Sequence, residues 1–188
     1  MSVTTLDPHT ALVLIDLQRG IVALPTAHPA DDIVARGARL AAAFRRRGLP
    51  VVLVNVAGGA PGRTEQPRRT DAYPPDWAVL VPGLDQQPSD LLVTKRTWGA
   101  FTDTRLKALL ADRGVTHIVL AGISTSIGVE STARQAHELG LNVTLAVDAM
   151  TDTNADAHIN SVTRIFPRLG ETGTTDEILA LLERTQNT

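Results

Sequence analysis

The chain of 188 residues contains no cysteine. Disulfides, thiolate metal sites and a cysteine nucleophile are therefore excluded from it. No apolar run approaches the roughly 18 residues that a membrane-spanning helix needs, and no basic-then-apolar leader is read. No membrane partner is expected, and the expected compartment is cytoplasmic. The formal net charge is −2, so nothing in the charge balance points to nucleic acid. Missing motifs narrow the chemistry further. The histidines, His9, His28, His117, His137 and His158, include no pair at helical i, i+4 spacing, and no D-x-H cluster follows the second strand. No metal site is expected. No G-x-S-x-G elbow supports a Ser–His–Asp triad, and Gly122-Ile-Ser-Thr-Ser-Ile-Gly128 does not fit G-x-G-x-x-G. No cofactor is expected.

What is present is a regular alternation of apolar runs and amphipathic segments. Hydrophobic residues make up 43% of the chain and charged residues 20%, ordinary values for one globular domain over residues 1–188. Strands are expected at Ala11–Ile15, Val51–Val56, Leu91–Val93, His117–Ala121 and Asn142–Val147, with a short strand or loop at Leu169–Gly173. Helices are expected at Asp31–Arg47, with Ile33, Leu40 and Phe44 as its apolar stripe, and at Thr104–Arg113, Ile127–Leu139, Thr153–Arg168 and Thr175–Glu183. Asn154 or Asp156 starts the fourth of these and Thr174 caps the last. There is no internal repeat or low-complexity tract. Strands alternating with helices predict an α/β fold, three layers around an open, mostly parallel sheet of five to six strands.

The densest stretch is His117–Asp152, about one βαβ unit. Its first strand breaks at Gly122, and Ser124, Thr125 and Ser126 place hydroxyls where a helix begins. Ile127, Ala133, Ala136 and Leu139 form that helix's apolar side, Gly140 ends it, and Asp148 closes the next strand. Ligands of open α/β sheets bind at the carboxyl ends of strands, beside helix N-termini, so the turn 122–128 is the first place to look for chemistry. Asp16 ends the first strand and has two readings, a turn cap or a carboxylate with a raised pKa. Lys95 follows the third strand and is either a surface charge or an ammonium desolvated by Trp98 and Phe101. Residues 57–82 form the one long loop. In it Arg63, Arg68, Arg69, Tyr73 and Trp77 face an acidic ligand, a neighbouring subunit or solvent.

The segments ALVLIDLQRG, LVTKRTWGAF, AGISTSIGVESTARQAHELG and NVTLAVDAMTD together resemble the isochorismatase-like hydrolase superfamily, over nearly the whole chain. The resemblance implies a six-stranded parallel sheet with helices on both faces (a Rossmann-like architecture). The family's usual catalytic aspartate, lysine and cysteine fall on Asp16, Lys95 and Gly128. With glycine at the third position the covalent thioester route of the family's amidohydrolases is closed. Family enzymes that hydrolyse isochorismate resemble this chain in having glycine there. Their implied mechanism is protonation of a vinyl ether by the aspartate, followed by attack of water, with release of pyruvate. Where those enzymes carry an aromatic residue and a tyrosine, this chain has Ser124 and Trp98. Gln18, Trp98, Phe101, Ser124 and Thr125 are expected to bind a small, acidic substrate. The family's non-proline cis peptide falls on Ile123–Ser124, and by that analogy the N–H groups of Ser124 and Gly128 are candidates for holding an anion. A homo-oligomer, a dimer or larger, is implied, with the helix face near 127–139 and the loop 57–82 as contacts. Three readings stay open: a cysteine-independent hydrolase, a binding or scaffold protein without turnover, and a cysteine-to-glycine variant of an amidohydrolase.

Overall fold

In the computed structural model, residues 3–65 and 72–184 are described; Arg68 and Arg69 of the long loop lie outside them. Six strands form one sheet: β1 (Thr10–Ile15), β2 (Val51–Val56), β3 (Leu91–Lys95), β4 (His117–Ile123), β5 (Asn142–Thr151) and β6 (Glu171–Gly173). Their order is β3-β2-β1-β4-β5-β6, and every pair in it is parallel. The expected α/β architecture is therefore present, with an all-parallel sheet. Its strand order reverses direction between β1 and β4, the place where such sheets open a crevice for ligands.

The helices are α1 (Arg19–Val22), α2 (Ala30–Arg46), α3 (Leu106–Ala111), α4 (Glu130–Glu138), α5 (Ala155–Asn160) and α6 (Thr175–Arg184). Alternation along β1 divides the core in two, because successive strand side chains point to opposite faces. Leu12 and Leu14 pack with Ile33, Leu40 and Phe44 of α2 and with Ile178 and Leu182 of α6. Ala11, Val13 and Ile15 pack on the other face with Leu106 and Leu110 of α3, Ala133 and Ala136 of α4, and Phe166. At about 25 cal/mol per Å² of buried apolar surface, two such layers supply the main favourable contribution to folding. Thr174 caps α6 as expected, in a reciprocal box: its hydroxyl accepts from Glu177 N, and its own N–H donates to Glu177 Oε2.

Several boundaries differ from expectation, and each difference has a local cause. Gly122 does not end β4; with φ of 123° it continues the strand. A Cβ there would lie 2.1 Å from the Ile15 carbonyl oxygen, so only glycine lets β4 approach β1 at this point. Nor does Asp148 close β5. The register shifts between Leu120 and Gly122, and the strand runs on to Thr151. Asp148 instead accepts from the backbone N–H and hydroxyl of Thr175 and pairs with Arg36. The helix expected from Ile127 begins two residues earlier as a π turn over Thr125–Val129, and Ile127 and Leu139 are exposed rather than apolar core. The segment expected as one helix to Arg168 is α5, capped by Asn154, then a π turn and a 3-10 turn at Phe166–Arg168. Among the described residues, no helix is long and apolar enough to cross a membrane.

Candidate active site

Three carboxyl-terminal strand ends converge at the point where the strand order reverses. Asp16 directly follows β1 in the left-handed conformation, φ 53°, which aspartate tolerates better than most residues. Its backbone is held there by bonds from Asp16 N to Val54 O and from Gln18 N to Asp16 O. Lys95, the last residue of β3, reaches past the end of β2 and places Nζ 2.7 Å from Asp16 Oδ2. Both residues are buried, with 4% and 2% of their surface exposed. Nζ also donates to Thr97 O at 3.1 Å. Among the described residues, Asp16 Oδ1 has no hydrogen-bond partner, an unusual state for a buried carboxylate oxygen and one expected where a ligand completes the site. Burial pushes the Asp16 carboxyl up to about 6, against the opposing pull of the Lys95 charge and hydrogen bond.

Gly128 faces this pair. A Cβ at that position would lie 2.9 Å from Ile15 Cγ2, 3.3 Å from Asp16 Oδ2 and 3.7 Å from Lys95 Nζ. Any side chain there would enter the space beside both charged groups. The turn that presents Gly128 is fixed at several points. The Ile123–Ser124 peptide is cis, as the resemblance implies. Asp152, the residue after β5, accepts from the backbone N–H and the hydroxyl of Ser126, both at 2.8 Å. Thr132 donates to Gly128 O at 2.7 Å and accepts from Ala100 N at 3.1 Å, so one buried hydroxyl ties the Gly128 turn to the segment after Lys95. Gln135 adds a second tie, accepting from Phe101 N.

The expected site residues separate into groups. Asp16, Lys95 and Gly128 come together. Gln18 is fully buried, and its amide donates to Val56 O and Trp77 O and accepts from Val56 N. Both amide protons are used on the protein, and the side chain clamps the loop at Trp77 to the end of β2. Thr125 is also fully buried, with its hydroxyl 2.8 Å from His158 Nδ1, so it too faces protein. Ser124 and Phe101 are half-buried. Trp98 is 63% exposed and cannot be the residue that desolvates Lys95. It lines, with Arg63, Thr64 and Tyr73, a cleft of about 450 Å³. Tyr73 stacks on Trp77 at 4.6 Å. Clefts of similar volume around Val51 and Asn142 lie at the amino ends of strands, away from the ligand end of such sheets.

Sequence reading missed Asp152, Thr132, Gln135, His28 and His158. Asp152 had a signal, since it is the second carboxylate in Asn142–Asp152; the register shift in β5 makes it, and not Asp148, the residue at the strand end. The others had none, because the partners that tie them to the site, Ala100, Phe101, Thr125 and Thr151, lie 32 or more residues away. Among the described residues, no group of three or more histidines or carboxylates is placed to hold a metal ion.

Comparison with known proteins places this geometry. The model of the isochorismatase domain matches residues 10–177. The uncharacterized isochorismatase family protein YecD of Escherichia coli O157:H7 is 45% identical over 182 residues, 92% of this chain and 96% of that protein. YwoC of Bacillus subtilis, described in the same terms, is 42% identical over 177 residues, 90% and 92% of the two chains. A solved structure of an isochorismatase family protein from Burkholderia thailandensis superposes with a TM-score of 0.93 at 46% identity, covering 97% of this chain and all of that one.

Proposed function

The chain belongs to the isochorismatase family, and from that premise we propose that it is a hydrolase that works without a cysteine nucleophile. The family includes hydrolases. The reaction proposed is acid-catalysed cleavage of a vinyl ether in a small, carboxylated, isochorismate-like substrate. The observation that carries this reading is the unpartnered Oδ1 of a buried Asp16 beside a residue with no side chain.

Three features support it. A carboxyl at about 6 keeps roughly one Asp16 in ten protonated at neutral pH, while its conjugate base is still weak enough for the acid to give up its proton. Gly128 excludes a nucleophilic side chain and leaves space next to Asp16 Oδ2. Lys95 has three N–H donors, of which Asp16 and Thr97 take two; the third is assigned to a substrate carboxylate. In the proposed sequence, the Asp16 proton passes to the terminal carbon of the vinyl ether, which leaves an oxocarbenium ion. The Asp16 carboxylate and the Lys95 ammonium then face that cation and the substrate carboxylate respectively. Water adds to the cationic carbon and loses a proton to Asp16, and the hemiketal collapses to pyruvate and the ring alcohol. Atoms and charge balance, and Asp16 regains its proton.

The test separates bond types. Incubation with isochorismate is expected to release pyruvate. Release of ammonia from amide substrates, with no pyruvate from isochorismate, would overturn the vinyl-ether assignment.

A further inference from the structure

Two histidines outside the Asp16–Lys95 site meet beneath the turn that carries Gly128. His28 precedes α2 and His158 lies on α5, and their rings are 4.9 Å apart. Each ring engages a fully buried threonine. Thr125 Oγ1 is 2.8 Å from His158 Nδ1, and Thr151 Oγ1 is 3.1 Å from His28 Nδ1. Thr125 opens the π turn that presents Gly128, and Thr151 is the last residue of β5. We propose that His28 and His158 form a proton-sensitive latch: with both rings neutral they pin the Gly128 turn to the end of β5, and protonation releases it.

The chemistry follows from the threonines. A buried hydroxyl proton needs an acceptor. Thr151 Oγ1 already accepts the His28 backbone N–H at 3.0 Å, so its own proton is directed to His28 Nδ1. The Thr125 proton is directed in the same way to His158 Nδ1. Both rings then carry their proton on Nε2. Protonation turns each Nδ1 from acceptor to donor, strands a buried hydroxyl proton, and sets two cations on tilted rings 4.9 Å apart. Two like charges at this separation make the second proton harder to add. Burial and the His28 charge already hold His158 below its ordinary value, with Asp152 opposing.

Of the nearby charged groups, Asp152 relieves this in part. Asp152 has Oδ2 occupied by Ser126 and Oδ1 by Asn154 N. Glu130, at the start of α4, accepts from Ser161 and pairs with Arg134. Asp156 is on α5 itself, and Asp31 and Asp32 are in the first turn of α2. The latch is independent of which bond the active site breaks, because it acts on the turn and not on substrate.

The test is ¹H–¹⁵N NMR of the full chain between pH 8 and pH 5, following the histidine ring nitrogens and the Thr125 and Gly128 amides. All samples carry Asp16→Asn, which removes that carboxyl's own titration. At pH 8 both rings should show the Nε2–H tautomer. On acidification the two amides should move with the ring signals. In His158→Asn, which offers an acceptor that does not titrate, the amides should stop moving. His28→Asn is the reciprocal variant, in which the His158 midpoint should rise. Nδ1–H tautomers at pH 8, or amide shifts unchanged in both variants, would overturn the proposal.

Discussion

Lys95 Nζ lies 2.7 Å from Asp16 Oδ2 at the carboxyl end of β3 and β1, and protein encloses both side chains. A buried ion pair of this kind seldom adds much stability, because two desolvated ions offset their mutual attraction. Its cost is understandable where the pair performs chemistry, and the free Asp16 Oδ1 points the same way.

Asp16→Asn should therefore abolish turnover and leave the melting temperature within a few degrees. The amide retains an oxygen for Lys95, so the ammonium is not left without an acceptor. The pH dependence gives a second check. The Asp16 carboxyl is higher in the folded chain, about 6, than its ordinary 3.8, so the folded state binds the extra proton. Its contribution to stability is fully present below 3.8 and is lost as pH rises through about 6. Denaturant melts of wild type and Asp16→Asn should differ by a slope confined to that window. His158 acts in the opposite direction: its folded value is lowered from 6.5, so stability falls as pH drops below that ordinary value, and both proteins share this part.

Lys95→Met preserves the length of the side chain and removes its charge. The lysine is the main influence holding the Asp16 carboxyl down. Its loss should move the Asp16 midpoint above 6, read by ¹³C NMR of labelled aspartate carboxyls, and turnover should fall by at least about 100-fold. An unchanged midpoint would show that the pair is not coupled in solution.

Gly128→Cys introduces the only thiol of the chain, so labelling reports on that position alone. Ile15 Cγ2, the branch methyl of a buried strand residue, must shift to admit the Cβ, so some loss of stability is expected. The thiol lands beside the Lys95 ammonium, which favours thiolate. Rapid alkylation by iodoacetamide at neutral pH is expected, with vinyl-ether hydrolysis reduced. Strong amidase activity in this variant would favour an amidohydrolase ancestry for the pocket and count against the vinyl-ether reading.

Thr132→Val removes the hydroxyl that joins Gly128 O to Ala100 N. Two buried backbone groups lose a partner, a loss of about 1–3 kcal/mol, visible in chemical denaturation. Thr132→Ser should recover most of the stability and the activity. If both variants behave like wild type, the tie between the two site segments is unimportant.

Much of this was legible in the chain, and the limits are physical. Strands β1 and β4 are continuous apolar, β-branched runs, which only a sheet covered on both faces explains, and they fix where Asp16 and Gly128 lie. The helix α2 shows its stripe in Ile33, Leu40 and Phe44. The end of β5 is not legible because its shifted register leaves no mark in the local pattern, so the strand is expected to close at Asp148 although it runs on to Thr151. Gln18 and Thr125 are expected to bind substrate, but both are buried and bonded to Val56, Trp77 and His158, partners that spacing cannot reveal. Trp98 shows the same limit: its position next to Lys95 in sequence says nothing of which way the ring turns, and it turns out to solvent.

The central claim is that Asp16 acts as a general acid on a vinyl ether. Pyruvate release from isochorismate, followed with wild type and Asp16→Ala side by side, tests it most directly. Turnover by wild type that disappears in a folded Asp16→Ala is the predicted result. Equal pyruvate release by both proteins, or none by wild type, would contradict it.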